Sequence, residues 1–447
     1  MGIAETRVSG RARTKRASTK KASDSERAKG ARQKLVTVLG PGLITGASDD
    51  DPSGIATYSQ AGAQFGFSVT WTLLFSYPLM AAIQEISGRI GRTTGKGIAA
   101  NIRIHYSNWI LQAIVALLLV ANTINIGADL GAMGDALALL IGGPHLLYVV
   151  LFGVFCASLQ IYVPYNSYAA VLRWLTLALF SYFGTILVVK IPWGELARGF
   201  LIPTITADAA FWTTVVAILG TTISPYLFFW QASQEVEESN RIAERKPLVR
   251  APEQGPGALE RIRLDTYIGM GFSNLVALAI MVTTAATLHV AGVTSIETST
   301  QAAEALRPVA GPFAFTVFTL GILGTGLLAV PVLAGSAAYA LAEARGWPEG
   351  LARKPKAAKA FYATIAVATM VGAAINFSPI NPIKALFWSA VINGVVAVPV
   401  MAIMMIMTAS PKIMGKFAVG GALRAVGWIA TVVMAAAVVG MGITAFM

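Results

Sequence analysis

Charge is scarce in this chain of 447 residues: only 13% of them are Asp, Glu, Lys or Arg, against about 25% in an average soluble domain. The charge that is present gathers between long apolar runs, and 55% of all residues are hydrophobic. A soluble core has no use for repeated uncharged stretches of about 20 residues, the length that crosses a bilayer as a helix. The scarcity excludes an ordinary soluble domain and predicts an all-α membrane protein. Cysteine is nearly absent as well. Cys156 stands alone in an apolar run, so no internal disulfide is expected, and a buried apolar thiol is inert. His105, His145 and His289 are too scattered to suggest a zinc site. With no nucleophile–base constellation in view, an enzyme is not expected.

Eleven apolar spans are present, at about 36–62, 68–88, 107–132, 144–163, 169–190, 211–235, 264–291, 311–342, 360–376, 384–408 and 425–446. With the N-terminus inside, 30 of the 34 Lys and Arg residues fall on the cytoplasmic side, and only Lys190, Arg198, Arg307 and Lys384 on the other. That asymmetry obeys the rule that basic loops stay cytoplasmic and sends the C-terminus outside. Residues 1–34 are basic and polar and lack a signal-peptide pattern. They are expected to form a disordered cytoplasmic tail that touches anionic lipid. No nucleic-acid-reading module accompanies the tail, so no nucleic-acid partner is expected despite a net charge of +12. The transporter domain is expected over 35–447: repeat one over 36–190, repeat two over 211–408, and an extra helix over 425–446.

Two spans are interrupted in matching places. Span one contains Asp49-Asp50-Asp51-Pro52-Ser53-Gly54, and span six contains Thr221-Thr222-Ile223-Ser224-Pro225-Tyr226. Proline removes a backbone donor and clashes with the preceding turn, so each helix should break there. Spans one and six open two halves of five spans each, and an odd number inserts the second half upside down. Broken helices at corresponding positions of two halves mark the substrate site of a secondary transporter. Freed carbonyls beside a carboxylate make a hard-oxygen site for a cation, and a carboxylate at membrane depth is costly without a partner. Asp51 is the expected principal ligand, with Thr221, Thr222, Ser224 and the backbone near Gly54. Asp49, Asp50, Ser53, Tyr226, Gln231, Asp129 and Asn393 are accessory candidates. Glu235, Glu237 and Glu238 read as a solvated charge run, Glu85 as the partner of Arg89 one turn on, and Gly321-Ile322-Leu323-Gly324 as close helix packing.

These residues resemble the Nramp family of divalent metal transporters over roughly 38–417. The resemblance rests on Gly40-Pro41-Gly42 followed after eight residues by Asp51-Pro52, on Ala128-Asp129-Leu130, on the Pro225 break, and on Lys412-Ile413-Met414-Gly415. It implies an amino-acid-polyamine-cation transporter type fold, two inverted five-helix repeats with substrate between the unwound middles of helices one and six. It also implies a divalent metal as substrate, with no cofactor.

The departures from the family pattern are chemical. Asp-Pro-Gly-Asn becomes Asp51-Pro52-Ser53-Gly54, which removes an asparagine ligand. Met-Pro-His becomes Ser224-Pro225-Tyr226, which removes the thioether that favours transition metals. The acidic partner of Asp129 is Ala132, and the two helix-six histidine positions hold Tyr226 and Gln231, so no imidazole remains to carry protons near neutral pH. The sequence is closest to the Nramp-related magnesium transporter branch. The expectation is a bacterial inner-membrane transporter that moves hydrated magnesium, with manganese permeant, by alternating access through a widened cavity and without tight proton coupling. A proton-coupled manganese or iron importer and a sodium-driven carrier of a non-metal solute such as a small anion are the alternatives. A monomer is compatible with the pattern.

Overall fold

The computed structural model describes residues 45–46, 48–163 and 175–446. The basic tail, Gly40-Pro41-Gly42, the start of span one and the start of span five with Arg173 lie outside the described residues. Among the described residues every regular element is helical.

Span one breaks at Asp51. Residues Thr45, Gly46, Ser48 and Asp49 are helical, Asp51 is extended (φ −72°, ψ 170°), and α1 then runs Pro52–Phe65. Pro52 occupies the first turn, where its missing N–H and fixed φ cost nothing. The chain turns sharply into α2 (Trp71–Thr94), which lies at 109° to the preceding segment and carries Pro78 within it. A short helix α3 (Ile98–His105) precedes the long α4 (Asn108–Ile141) and α5 (His145–Tyr162). Next come α6 (Phe180–Val188) and α7 (Trp193–Leu201).

Span six is again two helices, α8 (Ala209–Thr222) and α9 (Pro225–Arg241), separated by Ile223 and Ser224 in non-helical conformations. The remaining long elements are α10 (Gly255–Thr284), which continues as a π turn over Ala285–His289, α11 (Ala314–Arg345), α12 (Lys359–Ile375), α13 (Pro382–Thr408) and α14 (Gly421–Thr444).

Each predicted span contains helix among its described residues, interrupted at Asp51 in span one and at Ile223 and Ser224 in span six. Seven helices are long and apolar enough to cross a membrane, or eight if the bent pair α1–α2 is one span. The difference from eleven has local causes. The segment around α6 and helix α12 are apolar but short, and the first half of span one is only partly described. Several helices outrun their apolar stretch: α4 reaches Ile141 rather than 132, and α9 reaches Arg241 rather than 235.

Helix α4 packs against α11, α13, α12 and α5, and α1 is enclosed by α10, α13, α8, α4 and α11. The unwound segment of span one therefore sits at the centre of the bundle. Glycines allow the close approaches. A Cβ on Gly46 would lie 2.3 Å from the Gly269 carbonyl carbon, and one on Gly127 would lie 2.7 Å from Gly372 O. Gly321 is not such a place, since a Cβ there meets only Leu179 at an ordinary 3.5 Å. Close contacts on that helix come later, where a Cβ on Gly326 would lie 2.5 Å from Met133 Sδ and one on Gly335 2.6 Å from the Trp230 ring.

Candidate functional site

The break in span one is organised around the Asp51 carboxylate, which is 2% exposed. Its Oδ1 accepts the Ser53 hydroxyl at 2.6 Å and the Gly54 backbone N–H at 2.7 Å, and so caps the start of α1. Its Oδ2 accepts the Asn125 amide at 3.1 Å and, more loosely, the Tyr226 hydroxyl at 3.4 Å. The Oδ1 contacts are local and come with the turn. The Oδ2 contacts reach in from α4 and α9 and are longer.

Asp129, one turn beyond Asn125 on α4, has its Oδ2 3.5 Å from the Asn125 amide nitrogen. Asn125 Oδ1 and Asp129 Oδ1 are buried and have no hydrogen-bond partner. Asp49 and Asp50 turn the other way, toward α10. The Ser273 hydroxyl lies 2.6 Å from Asp49 Oδ2 and 3.0 Å from Asp50 Oδ1. Three consecutive aspartates are thus divided between two sides of the unwound segment. None of the described ion pairs involves any of the four aspartates.

The break in span six meets the break in span one at Gly54 and Thr221. A Cβ on Gly54 would lie 3.0 Å from Thr221 Oγ1 and 3.5 Å from Asp51 Oδ1. The room left by the absent asparagine side chain is therefore closed by Thr221 in this conformation, which corrects the expectation of a widened cavity at that position.

Thr222 and Ser224 are at the break, but their hydroxyls bond back into their own helix. Thr222 Oγ1 donates to Ile218 O at 2.9 Å, and Ser224 Oγ lies 2.8 Å from Thr221 O and 2.9 Å from Gly220 O. Short hydroxyl side chains commonly do this, and here Ser224 satisfies the Gly220 and Thr221 carbonyls that the break would otherwise orphan.

Gln231 makes its side-chain hydrogen bonds to residues other than those at the break. It ties three helices together, accepting the Gln84 amide at 2.6 Å and donating to Thr266 at 2.9 Å. Asn393 on α13 is 1% exposed, and neither of its amide atoms has a hydrogen-bond partner. His145 and His289 bond backbone carbonyls of Gly131 and Ala63, and Cys156 is buried. Among the described residues no group of three or more His, Cys, Asp or Glu is placed to hold a metal ion. A cation at the break would therefore draw on hydroxyl, carboxamide and backbone oxygens around Asp51.

Glu85 pairs with Arg89 at 2.5 Å, as its spacing predicts. The acidic run after span six is not solvated. Glu235 is 0% exposed and paired with Arg261, Glu238 bonds Arg245 at 2.5 Å, and Glu237 bonds Tyr339 and accepts the Leu351 N–H at 2.6 Å. The run lies at the end of a helix that packs against α2 and α11, and its carboxylates are held by ion pairs and hydrogen bonds, with Glu238 still 28% exposed.

A family model described as Natural resistance-associated macrophage protein-like, Nramp, matches residues 42–444. The chain belongs to the Nramp family. Nramp proteins are multi-pass membrane transporters, not enzymes. The divalent metal cation transporter MntH of Yersinia enterocolitica is 29% identical over 307 residues, covering 66% of this chain and 70% of its own length. The protein of the same name from Klebsiella pneumoniae is 28% identical over 316 residues, covering 68% and 71%.

The fold is shared with solved structures. The manganese transporter of Eremococcus coleocola, crystallised with an aromatic bis-isothiourea substituted compound, superposes with a TM-score of 0.70 at 18% identity, over 92% of this chain and 86% of that one. A nucleobase-cation-symport-1 family transporter in a closed conformation superposes with a TM-score of 0.55 at 14% identity, over 91% and 93%. Asn125 was not legible as a site residue from the motifs. The available signal was its spacing: Asn122, Asn125 and Asp129 recur every three to four residues and give the otherwise apolar α4 one polar face.

Proposed function

We propose that this Nramp-type divalent metal cation transporter carries a hard cation, magnesium ahead of manganese, with Asp51 as the principal charged ligand. The observation that carries this reading is the chemistry at the break. The Asp51 carboxylate is buried among hydroxyls, a carboxamide and backbone, and the helix-six position where a thioether would sit is Ser224, its hydroxyl turned back to backbone. Oxygen donors without sulfur suit magnesium, and a thioether would favour transition metals. Thr221 and backbone carbonyls at the two breaks complete the site, while Thr222 and Ser224 act through the backbone they cap. Gly54 contributes no side chain and lets the two breaks meet. Ser53, Asp49, Asp50 and Tyr226 hold the unwound segment in shape.

Eleven spans in two inverted repeats, with a cytoplasmic N-terminus and an outward C-terminus in a bacterial inner membrane, are the arrangement that the charge asymmetry and the two breaks support. In this conformation Asp51 and Thr221 are each 2% exposed. A closed state of this kind is one of those through which alternating access passes. The absence of imidazole at positions 226 and 231 supports transport without tight proton coupling.

Uptake into proteoliposomes tests the reading. Magnesium uptake is expected, with manganese as competitor, and both lost in Asp51→Ala. Unchanged uptake in Asp51→Ala would refute it. Lumenal acidification during manganese uptake would favour a proton-coupled importer, and a metal-independent solute flux would favour a sodium-driven carrier.

A further inference from the structure

We propose that Asn125 is a side-chain ligand of the transported cation, supplying from α4 the carboxamide oxygen that helix one lacks at Gly54. This rests on the reading of Asp51 as the principal ligand.

The orientation of the amide is set by its neighbours. Its nitrogen lies 3.1 Å from Asp51 Oδ2 and 3.5 Å from Asp129 Oδ2. Placing the amide oxygen there would set it against two carboxylate oxygens, whereas the NH2 group has two hydrogens to donate. The oxygen is therefore the atom turned away, and it finds no donor: Asn125 is 0% exposed and Oδ1 is unpartnered. Asp129, also 0% exposed, leaves its own Oδ1 unpartnered one turn along the same face.

A buried acceptor without a donor is unfavourable, and native proteins rarely keep one without a reason. Three such oxygens lie on that helix face; Asn122 Oδ1 belongs to an amide tied to Leu333 and Ser336, and the two beside the Asp51 carboxylate, which has no cationic partner, have the same remedy. A hard cation accepts carboxamide and carboxylate oxygen alike. An amide that only oriented Asp51 would need its nitrogen alone. The site then has three walls, from spans one, six and three. Its selectivity depends on a residue outside both breaks.

Loss of affinity in Asn125→Ala does not distinguish a ligand from a positioning group, because residues that merely orient a ligand cost about 10- to 100-fold in metal affinity when removed. Exchanging the ligand atom does. Purified full-length variants are titrated calorimetrically with magnesium chloride and with cadmium chloride, every variant retaining the buried Cys156. Asn125→Cys places a soft sulfur where the oxygen stood. It is expected to raise the cadmium-to-magnesium affinity ratio by about tenfold or more over that of Asn125→Ala, since sulfur ligands select soft ions. Asn125→Asp, nearly the same size, is expected to bind magnesium more tightly than wild type. A positioning amide replaced by a third carboxylate would bind it more weakly. An unchanged ratio in Asn125→Cys, or weakened magnesium binding in Asn125→Asp, overturns the assignment if Asp51→Ala still abolishes binding. If Asp51→Ala binds normally, the Asp51 reading itself has failed.

Discussion

Gly220, one turn before the break in span six, lies directly against Gly394 of α13. A Cβ on Gly220 would come within 2.5 Å of Gly394 N and 2.0 Å of Ala390 O. These are backbone atoms, which cannot swing aside as a flexible side chain can. Gly220→Ala is therefore expected to push α8 away from α13 and move Thr221 off Gly54. Metal uptake should fall at least tenfold while the protein still reaches the membrane, because small residues at helix contacts set how closely backbones approach. Gly257→Ala, at a position with open space around it, is the matched control and should transport normally.

Arg261 joins α10 to the end of α9 through Glu235 and Glu238. The Glu235 side chain is 0% exposed, so losing its partner strands a charge in the interior. Removing one member of such a pair costs about 3–5 kcal/mol. Arg261→Ala should lower the melting temperature markedly in detergent, whereas Arg307→Ala, whose pair with Glu304 is exposed, should barely change it.

Glu349 lies beyond the end of α11, where Glu237, Glu343, Arg241 and Arg353 line the same cavity of about 400 Å³. Burial first, and the charge of Glu343 second, push its carboxyl up to about 9 from an ordinary 4.5, while Arg103 and Arg353 draw it down and Glu237 adds to the rise. Between those values the unfolded chain gives up the proton and the folded chain keeps it. This group's contribution to stability therefore falls as pH rises through that window. Glu349→Gln should remove the dependence. Its melting temperature should rise above that of wild type progressively from about pH 5 to pH 9. A constant offset between the two curves would count against it.

Magnesium should stabilise the folded protein, since an ion that binds only the native state adds about 2.7 kcal/mol at a hundredfold excess over its Kd. The thermal shift should vanish in Asp51→Ala and persist in Gln231→Ala. Gln231 serves the contacts with Gln84 and Thr266 and not the break.

The breaks themselves were legible because proline acts locally. Pro52 and Pro225 sit where α1 and α9 begin. Residues whose roles depend on what packs across from them were not legible. Glu235 reads as solvated until α10 brings Arg261 to it, and Gln231 reads as a site residue until Gln84 and Thr266 claim it. Asn125 shows nothing until α4 is laid beside Asp51. Gly54 reads as missing bulk, and only the meeting of two helices shows that Thr221 fills the gap. Sequence periodicity places a residue on a face; the identity of the opposing face is a long-range fact.

Ser224 caps the Gly220 and Thr221 carbonyls at the end of α8 with its own hydroxyl, and Asp51 caps α1 with its own carboxylate. Both breaks are therefore braced by hydrogen bonds of their own before an ion arrives. The free energy of unwinding is spent when the chain folds and is not charged again on each transport cycle. Ion capture then resembles docking into a rigid socket more than coupled folding. Its heat capacity change should be small, and circular dichroism of the protein should be the same with and without metal.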